Sequence, residues 1–312
     1  MWKRIVFMEQ ETKMLQFQPV QLEMRELVHR YIKPLQVENS EYTFPSLLMW
    51  GQGGYIHIAQ EMDVLYILYT FPHLAPFMLA PLPLDPADYP RAIARAAAHL
   101  RGMGYAPSFR GIAQAWAPYF EAAGYILEED RDNFDYVYNM EDLRTLTGKR
   151  YHGKRNHINQ FLSQYTYTYE PVTPALVPEC MEVYEKWLEG RDLEVFGVRG
   201  ERVALEIGFA HMQELELVSG AIRMDGKLRA FSLGERISQN MAVIYFEKAD
   251  ADVPGLYPLI NREFVAHAWT DVRYINREED MGLEGLRRAK LSYYPAYLLK
   301  KYRAQLPESP LA

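Results

Sequence analysis

The chain has 312 residues, 49% of them hydrophobic and 24% charged, and a net charge of −7. That length predicts about two domains, and the balance is that of a globular chain with enough apolar material for two cores. The single cysteine, Cys180, excludes an internal disulfide and fits a reducing, cytoplasmic setting, while the acidic total excludes general adhesion to nucleic acid.

In chain order, the Met1-Trp-Lys-Arg start has no apolar core followed by a small-residue cleavage site, so no signal peptide is expected. Pro19–Ile32 carries apolar residues at Val20, Leu22, Leu27, Val28 and Tyr31, the spacing of an amphipathic helix. Ser40–Trp50 is a second, shorter one. After Gly51-Gln-Gly-Gly come expected strands at Tyr55–Ala59, Val64–Tyr69 and Pro76–Ala80. The uncharged run Val64–Leu84 is long enough to span a bilayer, yet prolines at 72, 76, 81 and 83 remove backbone donors that hydrocarbon cannot replace. It reads as strands, and no integral membrane contact is expected. Asp85-Pro86 opens an Ala-rich helix to about Leu100. A strand at Tyr105–Phe109, a helix near Ile112–Ala122 and a strand near Phe134–Tyr138 close the first half.

Met140–Leu146 and Lys154–Leu162 read as linking helices, and Thr166–Glu170 alternates like a strand. Helices follow at Pro178–Leu188 and Glu201–Leu215. Leu217–Met224 and Lys227–Ile237 form a hairpin around Asp225-Gly226, a pair suited to a tight turn with positive φ. Met241–Phe246 is a strand and Pro254–Trp269 a helix. The ending reads as a short strand at Tyr274-Ile275, an acidic turn, a helix at Leu283–Leu291 and a strand from Ala296.

Both halves thus run helix–helix–three antiparallel strands–helix–strand–helix–strand, without sequence identity between them. That order resembles the acyltransferase fold of the GNAT N-acetyltransferases. It predicts an α+β protein of two tandem GNAT-like (acyl-CoA N-acyltransferase) domains, each a mixed, mostly antiparallel sheet flanked by helices. The expected division is 1–145 and 146–312, with 146–165 as a linking helical segment and the site in the second domain.

Charge is unevenly placed. Residues 149–157 hold four cations and no acid, and from Arg287 onward the tail holds six basic residues and no acid before Glu308. Two basic islands on an acidic body imply anion binding at a chosen place. Lys154, Arg155 and Asn156, at a helix start beside Lys149 and Arg150, suit a phosphate. Glu278, Glu279 and Asp280 are clustered like charges that raise one another's pKa, which makes them candidates for the base or for recognising a cation. Helix capping by Asp280, with Arg277 as counter-charge, is the structural alternative. Asn276 ends the strand before them. Tyr257 and Asn261 are four apart and share a helical face. No metal-ligand spacing, Walker turn or nucleophile elbow is present, and Gly51-Gln-Gly-Gly precedes a strand where a phosphate loop precedes a helix.

A coenzyme A donor needs a Gly-rich turn whose backbone N–H groups hold a pyrophosphate at a helix start. The turns at that position are Ala80-Pro-Leu-Pro-Leu-Asp-Pro-Ala and Glu247-Lys-Ala-Asp-Ala-Asp-Val-Pro-Gly-Leu-Tyr. Both lack the glycine spacing and carry prolines and acids. Acyl-CoA is therefore the less favoured donor.

Residues 276–295 read N-R-E-E-D-M-G-L-E-G-L-R-R-A-K-L-S-Y-Y-P. They resemble the ending of a bacterial family grouped with the C-terminal domain of phosphatidylglycerol lysyltransferase, N-R-E-x-D-x-G-x-x-G-L-R-x-x-K-x-S-Y-x-P. That family is tandem GNAT-like and related to the Fem-type aminoacyl transferases. The resemblance implies an aminoacyl or acyl transferase, with aminoacyl-tRNA as donor and tRNA as partner. It places Lys290, in a helix-to-strand turn before Tyr293 and Pro295, at the donor's terminal phosphate or at the carbonyl oxygen. The acceptor implied is an amine or hydroxyl on a small molecule or peptide. Two alternatives stand beside this: a non-catalytic binding module that kept the fold, and a CoA-dependent N-acetyltransferase with an atypical loop.

Overall fold

The computed structural model describes residues 14–189 and 198–307; the Met1-Trp-Lys-Arg start lies outside them. In chain order, β1 (Gln18–Pro19) precedes α1 (Arg25–Leu35) and α2 (Phe44–Trp50), then β2 (Ile56–Glu61), β3 (Val64–Tyr69), β4 (Phe77–Leu79) and β5 (Leu82–Pro83). Next come α3 (Tyr89–Gly102), β6 (Ser108–Ala113), α4 (Ala117–Ala122), β7 (Ile126–Glu129) and β8 (Asp135–Asn139). α5 (Met140–Thr145), α6 (His152–Gln164), β9 (Thr168–Glu170), α7 (Val177–Leu188) and α8 (Val198–Ala210) lead to the long strands β10 (Val218–Met224), β11 (Lys227–Arg236) and β12 (Met241–Ala249). α9 (Leu256–Ala268), β13 (Tyr274–Asn276), α10 (Glu284–Leu291), β14 (Tyr297–Leu299) and β15 (Lys301–Gln305) complete the order.

Local chemistry accounts for several boundaries. The Thr43 side chain accepts from Ser46 N at 3.2 Å and caps α2. Asp85 accepts from Ala87 N at 2.9 Å, so the Asp-Pro start works as read, although it opens a 3-10 turn ahead of α3. Asp225 and Gly226 both have positive φ (51° and 75°), the turn that an Asp-Gly hairpin requires. The chain continues through Pro34 to Leu35 before Gln36 ends α1 in the left-handed region, past the expected stop at Ile32.

The chain divides into two compact units. One holds the described residues up to Val20, Gly54–Glu128, and those from Tyr302; its sheet runs β1-β2-β3-β4-β6-β15-β7, with β5 on β3. The other holds Gln21–Gly53 and Glu129–Lys301, and its sheet runs β14-β8-β13-β12-β11-β10-β9. Each is a mixed, mostly antiparallel sheet with flanking helices, the tandem GNAT-like α+β fold. β4 and β6 pair in parallel in the first, as do β12 and β13 in the second.

The division does not follow the expected boundary at 145. Strand Phe134–Tyr138 was expected to close the first half; as β8 it lies in the second sheet, between β13 and β14. Its carboxylate explains the placement: Asp135 is fully buried and accepts from Lys301 Nζ at 2.7 Å and Ser40 N at 2.9 Å. In return, β15 fills the position between β6 and β7 in the first sheet. The helix expected over Ile112–Ala122 begins as strand, because β6 runs to Ala113, and becomes α-helix only at Ala117. Among the described residues, no helix is long and apolar enough to cross a membrane.

Candidate functional site

In the second unit, β12 and β13 stay paired over Met241–Val243 and Tyr274–Asn276. β12 then continues to Ala249 while β13 ends, so the strands part. The loop after β13 enters the gap. Asn276 is fully buried and anchors it: its amide nitrogen donates to Asp135 (3.0 Å) and to Glu38 O (3.1 Å), and its oxygen accepts from Glu278 N (2.8 Å).

That last bond holds Glu278 at φ 56°, a left-handed conformation that costs energy for a non-glycine residue and concentrates at functional sites. The Glu278 carboxylate makes no hydrogen bond or ion pair with another described residue. Burial, followed by the neighbouring Glu279, pushes its pKa well above the carboxylate range, against the opposing pull of Lys290. The Lys290 ammonium donates to Arg277 O and to Glu279 O (2.5 Å), clasping the turn on both sides of Glu278. Burial lowers the pKa of Lys290 while Glu279 and Glu278 oppose that shift.

Asp280 has a different job. It is fully buried and accepts from Arg287 (2.8 Å), Arg131 (3.2 Å), the Tyr136 hydroxyl (2.5 Å) and Gly282 N (2.9 Å). Those donors hold it ionised, far below the usual carboxylate range, and leave it no capacity as a base. The expected catalytic trio is thus a half-buried pair, Glu278 and Glu279, plus a structural anchor.

A second cluster borders the same gap. Arg277 crosses to Glu247 on β12 at 2.8 Å, and Asn261 of α9, fully buried, donates to the other Glu247 oxygen at 2.9 Å. Arg277 therefore neutralises Glu247, and the acidic turn draws its counter-charge from Lys290, Arg131 and Arg287. The Tyr293 ring, only 5% exposed, receives the Arg277 guanidinium at 4.8 Å and the Lys154 ammonium at 3.9 Å from its centroid. Behind lie two further buried carboxyls. Tyr245 donates to Glu235 and meets the Thr43 hydroxyl, and burial raises Glu235 to about 7. Glu41 joins Asp135 around Lys301 at 2.5 Å.

The remaining expectations divide. Lys154, Asn261, Tyr293 and Asn276 come together with Lys290 and the acidic turn. Arg155 does not: it donates to Leu146 O and Gly148 O (2.7 Å) and staples the start of α6. Asn156 is exposed, bonded to His152 at 3.1 Å, and Tyr257 packs against the core under α9. The turn ahead of α9 is filled from within. A Cβ on Gly255 (φ 87°) would lie 2.3 Å from His157 O of α6, and Asp250 is buried against Lys186 (2.8 Å) and Arg229 (2.9 Å). Glu235, Tyr245 and Thr43 went unread, because their meeting depends on the irregular β11/β12 register at Leu233/Gly234. Among the described residues, no His, Cys, Asp and Glu cluster could hold a metal.

The fold is of the tandem GNAT-like class, an architecture shared with FemX, which is 8% identical with a TM-score of 0.54. Residues 32–305 match the family model described as phosphatidylglycerol lysyltransferase, C-terminal, and the chain belongs to that family. A conserved protein of unknown function from Bacteroides thetaiotaomicron is 31% identical, with 94% of this chain and 100% of that one covered and a TM-score of 0.86. The C-terminal domain of a putative lysylphosphatidylglycerol synthetase from Agrobacterium fabrum shares the fold at 17% identity, covering 90% and 92% of the two chains with a TM-score of 0.63. An uncharacterised protein of Mycoplasmoides gallisepticum is 26% identical over 181 residues; that match spans 57% of each protein.

Proposed function

We propose that the second unit is an aminoacyl- or acyl-transfer centre, in which an amine or hydroxyl acceptor attacks an acyl ester directly. The observation that carries this reading is Glu278: a strained backbone, a carboxylate without a partner, a raised pKa and a lysine clasp, all where β12 and β13 part. A poised carboxyl of that kind suits general base work near neutral pH. In the proposed step the acceptor nitrogen bonds to the acyl carbon and the ester C–O bond breaks. Glu278 takes the acceptor's proton, and the departing alcohol oxygen receives one in turn. Lys290 lies beside it to stabilise negative charge developing on the carbonyl oxygen. Asn276 and Asp280 hold the turn.

An ester carried on tRNA fits this centre better than acyl-CoA. The pyrophosphate position ahead of α9 is occupied by Gly255 against the α6 backbone and by a buried aspartate. The test is release of acyl groups from a panel of aminoacyl-tRNAs, with amines as acceptors. Glu278→Gln should slow transfer about 100-fold or more, the usual worth of a general base. Equal rates for variant and wild type would end its role.

A second reading has one observation in its favour. Tyr293 is buried in the gap and the Arg277–Glu247 pair bridges it, as in a binding module that kept the fold without the chemistry. Turnover with any donor separates the two.

A further inference from the structure

Lys154 was expected with Arg155 and Asn156 to suit a phosphate; of the three, it alone is laid half-buried over the Tyr293 ring, its ammonium 3.9 Å from the centroid. It makes no hydrogen bond or ion pair with another described residue. The Tyr293 face covers part of the ammonium and replaces only part of its hydration. Desolvation, reinforced by Arg277 and only partly offset by Glu247, lowers its pKa to about 8.

Two more polar atoms, on residues linked to it through the Tyr293 ring and Glu247, lack a well-placed hydrogen-bond partner. Arg277 Nη1 is buried with no acceptor in good hydrogen-bond geometry; the guanidinium meets Glu247 through Nη2 and otherwise only Tyr293. Asn261 Oδ1 is a buried acceptor with no donor, although its amide nitrogen is paired with the same carboxylate. Asn261 is fully buried. Unpaired buried polar groups are rare and each asks for an explanation. The acid present, Glu247, is already spent on Arg277 and Asn261, so Lys154 leaves a net positive charge. A group that supplies anionic oxygens to Lys154 and Arg277, and one O–H or N–H to Asn261, would satisfy all three.

We infer that Lys154, Arg277 and Asn261, arranged around Glu247 and Tyr293, form a subsite for the phosphate group of a substrate or ligand. A phosphate ester offers charged oxygens for the two cations and, from its own acid form or the adjoining alcohol, a donor for the amide. A carboxylate offers only the first. The subsite rests on the transfer reading solely for what the phosphate is attached to. Binding is measurable without transfer.

The experiment is calorimetric titration of the full chain with inorganic phosphate, adenosine monophosphate and acetate. Phosphate and the nucleotide should bind, and acetate at least tenfold more weakly. Tighter binding of the nucleotide than of phosphate identifies an esterified ligand; equal binding identifies a free one. Lys154→Gln should weaken phosphate at least tenfold, the loss of one charge-assisted contact. Lys227→Gln, on the exposed hairpin turn, should leave it unchanged. Affinity should fall between pH 7.5 and 9.5, as the Lys154 ammonium loses its proton while phosphate stays a dianion. Glu247, Arg277 and the Tyr293 hydroxyl, whose pKa burial pushes up, are the other charged or titratable groups around it. Glu278→Gln should bind phosphate normally even where it abolishes transfer, which separates the two claims. Should Lys154→Gln fail to fold, Lys154→Arg, which keeps the charge, must retain binding that weakens less with pH. Absence of phosphate and nucleotide binding, or affinity indifferent to Lys154, overturns the inference.

Discussion

Glu235 makes a prediction that needs no substrate. It sits on β11 against the Tyr245 hydroxyl, and burial raises its pKa from 4.5 to about 7. The folded state therefore binds a proton more tightly than the unfolded chain. Its contribution to stability is full below pH 4.5 and is lost as pH rises through 7. Glu235→Gln keeps an acceptor for Tyr245 and removes the titration. Urea unfolding should show the variant more stable than wild type at pH 8, by on the order of 3 kcal/mol, and a flatter profile between pH 4.5 and 7. Identical profiles would mean that Glu235 stays ionised. At this scale the sequence exposed residue types and left their tasks undecided. The acids at 278–280 were visible as a cluster, yet only the fold gives Asp280 three strong donors from Arg131, Arg287 and Tyr136 and leaves Glu278 none. Lys154 and Arg155 are neighbours in an undivided basic run, and the helix turns one inward and binds the other to its own start.

Helices and strands were legible where local chemistry decides them. Asp225-Gly226 fixed a hairpin through backbone conformation, and Asp85-Pro86 opened a helical segment through capping. β7 was missed because Ile126–Glu129 is short and ends in two glutamates, so alternation is weak. The turn before α9 is the element with the sharpest consequence. Gly255 has φ 87° and lies against the α6 backbone, so an alanine there suffers both strain and a collision with His157 O. Gly255→Ala should cost about 2–4 kcal/mol, read from the urea midpoint. Gly226→Ala, with positive φ but open space around it, should cost about 1 kcal/mol. Equal effects would show that the α6 contact is absent.

Across the whole molecule, the repeated element order was legible and the ownership of strands was not. Periodicity shows that Phe134–Tyr138 is a strand; it cannot show that Asp135 seeks Lys301, which lies 166 residues away. Because β8 belongs to the second sheet, a fragment of residues 146–312 lacks the strand between β13 and β14 and exposes both edges. Such a fragment should be insoluble or lack a cooperative melt, whereas a cooperative transition would show that β8 is dispensable. The tandem fold itself supplies a scaffold, and the claim that chemistry happens on it rests on the gap between β12 and β13. The most direct test is a single-turnover assay in which the purified full chain is mixed with tRNAs bearing labelled amino acids and a panel of amines. We expect label to leave at least one tRNA and appear in an acceptor, with the rate cut at least 100-fold by Glu278→Gln while the Lys154-dependent affinity for phosphate persists. Intact ester with every tRNA and every amine, under conditions where the chain is folded, would contradict the account.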